Sequence, residues 1–310
     1  MQQSALVIGE ALTDIFVTHS GNGRADADGG GEQQHPGGSP YNVAITLGRL
    51  GDRVSLLTAI GDDARGAEIT ARLLESDVEL VPASRRSGAT STALADLQPD
   101  GSARYVFEID WDLPSNLELA PTSVTHAGSI ALYLEPGASR VAELLRERSG
   151  DSLITLDPNI RPALVGDHAE ALARIEALME FVDLVKLSDE DAAWLYPGVP
   201  PAAVLSRLVS LGPGLAVMTL GGAGSILAGP SAVVEVPAPP TVVADTIGAG
   251  DSYMGALIHR VLTTSLGVQL RRRSQLGVEE LGAIGEFASR VAAITVSRTG
   301  ANPPRLDELG

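Results

Sequence analysis

The chain contains no cysteine, which excludes a disulfide framework, a thiolate zinc site and a thiol nucleophile. Its five histidines (His19, His35, His126, His168, His259) are scattered without metal-ligand spacing. Positive charge is scarce: 22 Lys and Arg stand against 39 Asp and Glu, a formal net charge of −17, and Lys186 is the only lysine. Such a balance disfavours nucleic acid or an anionic membrane as partner, and any phosphate must be held by local donors. Long apolar runs are also missing, since no stretch approaches the roughly 18 residues of a membrane span. The opening "MQQSALVIGEAL" has no basic segment and Glu10 interrupts its apolar run, so no signal peptide is expected and a cytoplasmic location is.

What is present is a globular composition, 44% hydrophobic over 310 residues, enough for one large α/β unit or two domains. Short apolar runs predict buried strands at "ALVIG" (5–9), "VSLLTAIG" (54–61), "LITLD" (153–157), "LVKLS" (184–188) and "LAVMTLG" (215–221). "TVVADT" (241–246) reads as a further strand end. Helical spacing separates the strands: Val43, Leu47 and Leu50 share a face, as do Leu172, Ile175 and Met179, and Leu281, Ile284, Ala288 and Val291. Alternating strands and helices predict a doubly wound, mainly parallel sheet flanked by helices, with ligands beyond the carboxyl ends of the strands.

Two segments break this alternation. "THSGNGRADADGGGEQQ" (18–34) is polar and glycine-rich, and its acidic residues lack the spacing of a calcium loop. In "TSTALADLQPDGSARYVFEIDW" (90–111), "QPDG" marks a turn, and Tyr105, Phe107 and Ile109 alternate on one face. That apolar-faced hairpin is either an edge extension of the sheet or a lid over a site.

The densest chemistry lies in "DTIGAGDSYMGALI" (245–258). From Asp251 onward, Met254, Leu257, Ile258, Val261 and Leu262 mark one helical face, so Gly248, Ala249 and Gly250 fall at a helix N-terminus. Unpaired amides there favour an anion, and small side chains permit its close approach. Taken alone, the stretch fits a capped helix after a tight turn better than an anion cradle. No Walker lysine follows it, and no G-x-G-x-x-G follows the first strand, which argues against a P-loop and a dinucleotide-binding dehydrogenase. In "HPGGSPYNVAITLGRLG" (35–51) a glycine pair opens a second helix carrying Asn42, either a hydroxyl-binding amide or an exposed residue of a capped helix. Asp14, shortly after the first strand, is a candidate acceptor for hydroxyls.

Taken together, "GGSPYNVAITLGRLG" and "DTIGAGDSYMGALI" resemble the paired signatures of the PfkB (ribokinase-like) carbohydrate kinases. "GEALTDIF", "IGDDARG", "LDPNIRP", "VKLSDEDAAWL" and "TLGGAGSIL" match further family blocks in order, and the resemblance covers essentially the whole chain. It implies a ribokinase-like α/β core over residues 1–14, 36–89 and 112–310, with a discontinuous β-sheet lid over 15–35 and 90–111. It implies ATP-dependent phosphorylation of a sugar hydroxyl, with Asp251 as general base and the backbone of Gly248, Ala249 and Gly250 as anion hole.

By the same resemblance, Asp14, Gly37, Gly38 and Asn42 contact the sugar, with Phe107 (and Tyr105 or Ile109) against its ring. Arg161 is either a contact to substrate or phosphate or part of a structural salt bridge. Lys186, Ser188, Thr219, Gly221 and Gly224 fall to the nucleotide side. Asp191, standing where the family has Glu, is expected to support Mg2+ through water, and Asp245, Ile247, Thr295 and Gly300 match the places of a K+ site. "DPNIRP" and "VKLSDED" are fructokinase-like, while ribokinase, 2-keto-3-deoxygluconate kinase, nucleoside kinase and a non-catalytic sugar-binding regulator stay open. A homodimer formed through the lid is a further implication.

Overall fold

The structure, a computed structural model, describes residues 3–18, 32–97 and 103–310. The strands β1 (Ser4–Ile8), β2 (Leu12–Thr18), β3 (Glu32–Gly37), β4 (Arg53–Leu57) and β5 (Val78–Leu80) come first in the chain. β6 (Thr92–Leu97), β7 (Ala103–Glu108), β8 (Val124–Gly128) and β9 (Leu153–Asp157) follow. The last four are β10 (Leu184–Ser188), β11 (Leu215–Thr219), β12 (Ser225–Ala228) and β13 (Val233–Val236). Between and after them lie helices α1 (Ser39–Arg49), α2 (Ala64–Glu75), α3 (Gly137–Arg148), α4 (His168–Leu178) and α5 (Asp189–Leu195). The remaining helices are α6 (Pro201–Leu211), α7 (Ala249–Thr263), α8 (Leu266–Arg271) and α9 (Val278–Val296).

Nine strands form one sheet in the order β5-β4-β1-β8-β9-β10-β11-β12-β13, parallel as far as β11 and closed at one edge by the antiparallel β12 and β13. Alternate residues face opposite ways, so each strand feeds two cores. Ala5 and Val7 pack with α1, α2, α7 and α9 on one face, while Leu6 and Ile8 pack with α3 to α6 on the other. The chain winds outward from β1 to β4 and β5, then returns to β8 and winds the other way. The switch point therefore lies between β1 and β8, where such sheets open a crevice.

A separate four-stranded sheet, β3-β2-β6-β7, joins the excursion after β1 to the hairpin after α2. Asp14, Ala93 and Phe107 stand side by side across β2, β6 and β7 and share one face. Asp63 fastens this insertion to the core: it caps α2 through the Gly66 amide and accepts from both the amide and hydroxyl of Thr90. Burial opposes its charge, but those hydrogen bonds win and hold the carboxyl at about 2.

The five predicted strand runs and three predicted helical faces are all present. "TVVADT" is not a strand. The preceding "PAPP" offers few donors, and the segment crosses the surface with Val242 87% exposed, tied down where the Ala244 and Asp245 amides meet the Val296 carbonyl. The glycine-rich run over 19–31 and the "QPDG" turn lie outside the described residues, as does the side chain of Tyr105. Among the described residues no helix is long and apolar enough to cross a membrane.

Candidate active site

One cavity of about 940 Å³ spans the carboxyl edge of the large sheet, from the switch point to β11, and is roofed at one end by the small sheet. Glycines make the close approaches at its rim. A side chain on Gly37 would overlap the Asp14 carboxylate, and Gly38 (φ 108) lies against the Glu10 carbonyl, which leaves room to start α1.

Asp251 occupies the first turn of α7 and is only 8% exposed. Its Oδ1 accepts from the Ser39 hydroxyl at 2.6 Å and its Oδ2 from the Asn42 amide at 2.8 Å, both from the first turn of α1. Two charge-assisted bonds fix the carboxylate while each oxygen keeps a lone pair for the cavity. In front of it Gly248 (φ 76) turns the chain into α7. The Ala249 amide makes only a long bond of 3.3 Å to the Thr246 carbonyl, and among the described residues no acceptor meets the Gly248, Gly250 and Asp251 amides.

Beneath this turn lies the single lysine. Lys186 Nζ donates to Asp157 Oδ2 at 2.8 Å and would stand 3.1 Å from a methyl added to Gly250. Burial alone would discharge the ammonium, but Asp157, with Asp191 and Asp251 near, raises it above its ordinary value. Burial drives Asp157 the other way, up to about 6 against the lysine's pull. His126 on β8, also buried and close to that ammonium, is pushed down to about 3 and is neutral. A cation thus lies behind an amide-lined pocket, in a protein whose overall charge is negative.

At the other end of the cavity, Asp14 is raised to about 6 by burial and by the Asp251 charge, against the pull of Arg161 and His35. Arg161 forms no ion pair among the described residues, so the salt-bridge reading of it is not realised. Phe107 and Ile109 line the same end from the small sheet. Thr219, Gly221 and Gly224 line the opposite end, with Lys186 and Ser188 between.

Other expected residues are committed elsewhere. Both Asp191 oxygens accept backbone amides, from Ile160 at 2.7 Å and Ser188 at 2.9 Å, and the Ser188 hydroxyl caps the Asp191 amide in return. This is a capping box that also anchors the loop after β9. Among the described residues no group of three or more acidic or histidine side chains is set to hold a metal ion. With both Asp191 oxygens engaged by backbone amides and no such group at hand, a magnesium ion would be carried by nucleotide phosphates and water. Asp245 joins Ile247 to Gly300 through their amides, while the Thr295 hydroxyl donates into its own helix at Val291. Gly37, Asp245, Thr295 and Gly300 lie outside the cavity lining. Sequence reasoning missed Ser39, whose motif was visible but whose bond to Asp251 spans 212 positions, and Glu10, read only as a break in an apolar run.

The cavity thus joins a buried carboxylate, fixed by two donors, to a turn with unpartnered amides at the head of α7. The chain belongs to the pfkB family carbohydrate kinases, whose sequence pattern matches residues 2–308. It is a fructokinase-like, ATP-dependent sugar kinase of that family. Fructokinase-1 of Oryza sativa subsp. japonica is 31% identical over 97% of this chain and 94% of its own. The fold is shared with a fructokinase from Xylella fastidiosa solved with bound ATP (TM-score 0.83, 24% identity, 100% of this chain and 97% of that one). It is shared too with a fructokinase double mutant from Vibrio cholerae O395 solved with fructose, ADP and a potassium ion (TM-score 0.78, 22% identity, 97% and 94%).

Proposed function

We propose that the protein transfers the γ-phosphoryl group of ATP to a hydroxyl of a ketohexose, fructose first among candidates. The observation that carries this reading is Asp251: a buried carboxylate, gripped by two donors, at the head of a helix whose amides face the same cavity. In it Asp251 accepts the proton of the attacking hydroxyl, and the amides of Gly248, Ala249 and Gly250 take the transferring phosphoryl oxygens. Lys186 offsets the charge gathered there from behind. A carboxylate is a weak base, but a loose phosphoryl transition state needs the proton removed only late.

The sugar lies between Asp14, Gly38, Asn42 and Arg161, under Phe107, while the nucleotide runs toward Ser188, Thr219, Gly221 and Gly224. Gly37 acts through Asp14, which it allows to lie close. Magnesium supplies charge neutralisation on the phosphates when bound. A monovalent cation, potassium in the Vibrio relative, belongs near Asp245, Ile247 and Gly300. The small sheet serves as the lid, excluding water when it closes on the sugar.

The test is ADP release with fructose, ribose, 2-keto-3-deoxygluconate and nucleosides. Fructose is expected to turn over fastest, and Asp251→Asn to bind fructose with little change while losing at least about a thousandfold in kcat. Sugar binding without turnover by the wild type would instead identify a regulator, and substantial turnover by Asp251→Asn would remove the assigned base.

A further inference from the structure

We propose that Asp157 is a positioning residue for phosphoryl transfer: through its ion pair it holds the Lys186 ammonium beneath the turn at the head of α7, so that the pair turns its positive end toward the transferring group. The proposal rests on the sugar-kinase reading and deepens it. Asp157 is the last residue of β9 and Lys186 the third of β10, and the parallel register that sets Val185 beside Leu156 brings the next two residues together. Nζ meets Oδ2 at 2.8 Å, with the two side chains only 4% and 0% exposed. Lys186 lines the cavity and Asp157 does not, so the pair points its ammonium at the Gly250 turn.

A purely structural role accounts poorly for this pair. Taking two charges out of water is repaid only where further hydrogen bonds satisfy the remaining lone pairs and protons. Here neither group is completed. Asp157 Oδ1 is buried without a hydrogen-bond partner, and among the described residues Nζ donates to Asp157 alone. His126 on the adjacent β8 does not help, because its Nδ1 faces Thr155 and its Nε2 is unpartnered too. Two apolar side chains of similar volume would fill the same space with little loss of stability.

What an apolar pair cannot supply is positive charge. Beneath Gly250 the ammonium stands among carboxylates, with Asp191 and Asp251 near enough to act on it. The turn above it offers amides for phosphoryl oxygens, and a fixed cation behind those amides adds to their pull in a site shielded from water. A lysine on its flexible four-carbon stem would otherwise swing, and Asp157 fixes it without approaching the cavity itself. The nearer end of an ion pair dominates at short range, so the carboxylate cancels only part of the ammonium's effect.

The experiment is a double-mutant cycle in steady-state kinetics with fructose and ATP, read beside thermal melting. It compares the wild type, Lys186→Met, Asp157→Asn, those two combined, and the apolar pair Lys186→Met with Asp157→Val. Lys186→Met should lower kcat about 100- to 1,000-fold, the range for losing one fixed contribution to a developing charge, while the KM for fructose moves less than about twofold. Asp157→Asn should lower kcat about 10- to 100-fold by itself but less than about threefold in the Lys186→Met background, because its effect runs through the lysine. The apolar pair should melt within about five degrees of the wild type and yet be as slow as Lys186→Met. The proposal is overturned if the apolar pair does not fold or keeps kcat within about threefold of the wild type, since the ion pair is then structural alone. It is overturned too if Asp157→Asn costs the same in both backgrounds. Should Asp157→Asn not fold by itself, the apolar pair and Lys186→Met decide, equal kcat values supporting the proposal and unequal ones overturning it. A wild type that turns over no sugar removes the kinase reading and the proposal together, whereas undiminished variants of an active wild type remove the proposal only.

Discussion

Ser39 shows most directly how the site is built from single side chains. It bonds Asp251 at 2.6 Å and lies 212 positions from it in the chain, so no local pattern announces the pair. Position by position, the resemblance pointed to Asp251, Asn42 and the glycines, all of which sit in or beside the cavity. It could not say that the Asn42 amide is spent on Asp251, because hydrogen-bond pairing is a tertiary fact. A hydrogen bond to a charged acceptor contributes about 1.5–3 kcal/mol, which converts to roughly 10- to 100-fold in rate if the bond serves the transition state. Ser39→Ala should therefore lower kcat by about that factor while leaving the KM for ATP nearly unchanged. Parallel rise of both KM values with unchanged kcat would show instead that Ser39 shapes the cavity and does not orient the proposed base.

At the scale of elements, strands buried on both faces were legible because their apolar residues run without interruption, as in "LITLD" and "LVKLS". β8 escaped notice because "VTHAG" places Thr125 and His126 inside the core, where they find Ser152 and Thr155 as partners from the neighbouring segment. β12 and β13 were hidden behind a glycine-rich block, and "TVVADT" looked like a strand because β-branched residues there serve the cavity mouth. The start of α5 settles a question that the short "SDED" pattern left open. Asp191 ties Ser188 and Ile160 together by their backbones, which makes it first a structural clasp between β10, α5 and the loop after β9. Removing its side chain leaves the Ser188 cap but takes the acceptor from the Ser188 amide and strands the buried Ile160 amide, the latter about 1–3 kcal/mol. Asp191→Ala should thus lower the melting temperature by several degrees while the magnesium dependence of turnover shifts less than about twofold. A large shift in magnesium requirement with an unchanged melting temperature would reverse that order of roles.

For the whole molecule, composition alone makes the overall charge legible, since a sum of charges needs no coordinates, but not where the cations sit. The net charge of −17 repels an incoming nucleotide, while Lys186 and the amides at the head of α7 attract it only at close range. The two effects separate by distance. The Debye length falls from about 30 Å at 0.01 M salt to about 8 Å at 0.15 M, which removes the long-range repulsion and spares the buried contacts. Raising ionic strength with tetramethylammonium chloride at fixed potassium and magnesium should therefore raise kcat/KM for ATP, by about two- to fivefold. The uncharged sugar feels neither effect, so its kcat/KM under saturating ATP should stay within about twofold and serves as the internal control. A fall in kcat/KM for ATP over the same range would mean that exposed cations such as Arg161, and not the buried lysine and backbone amides, do most of the attracting.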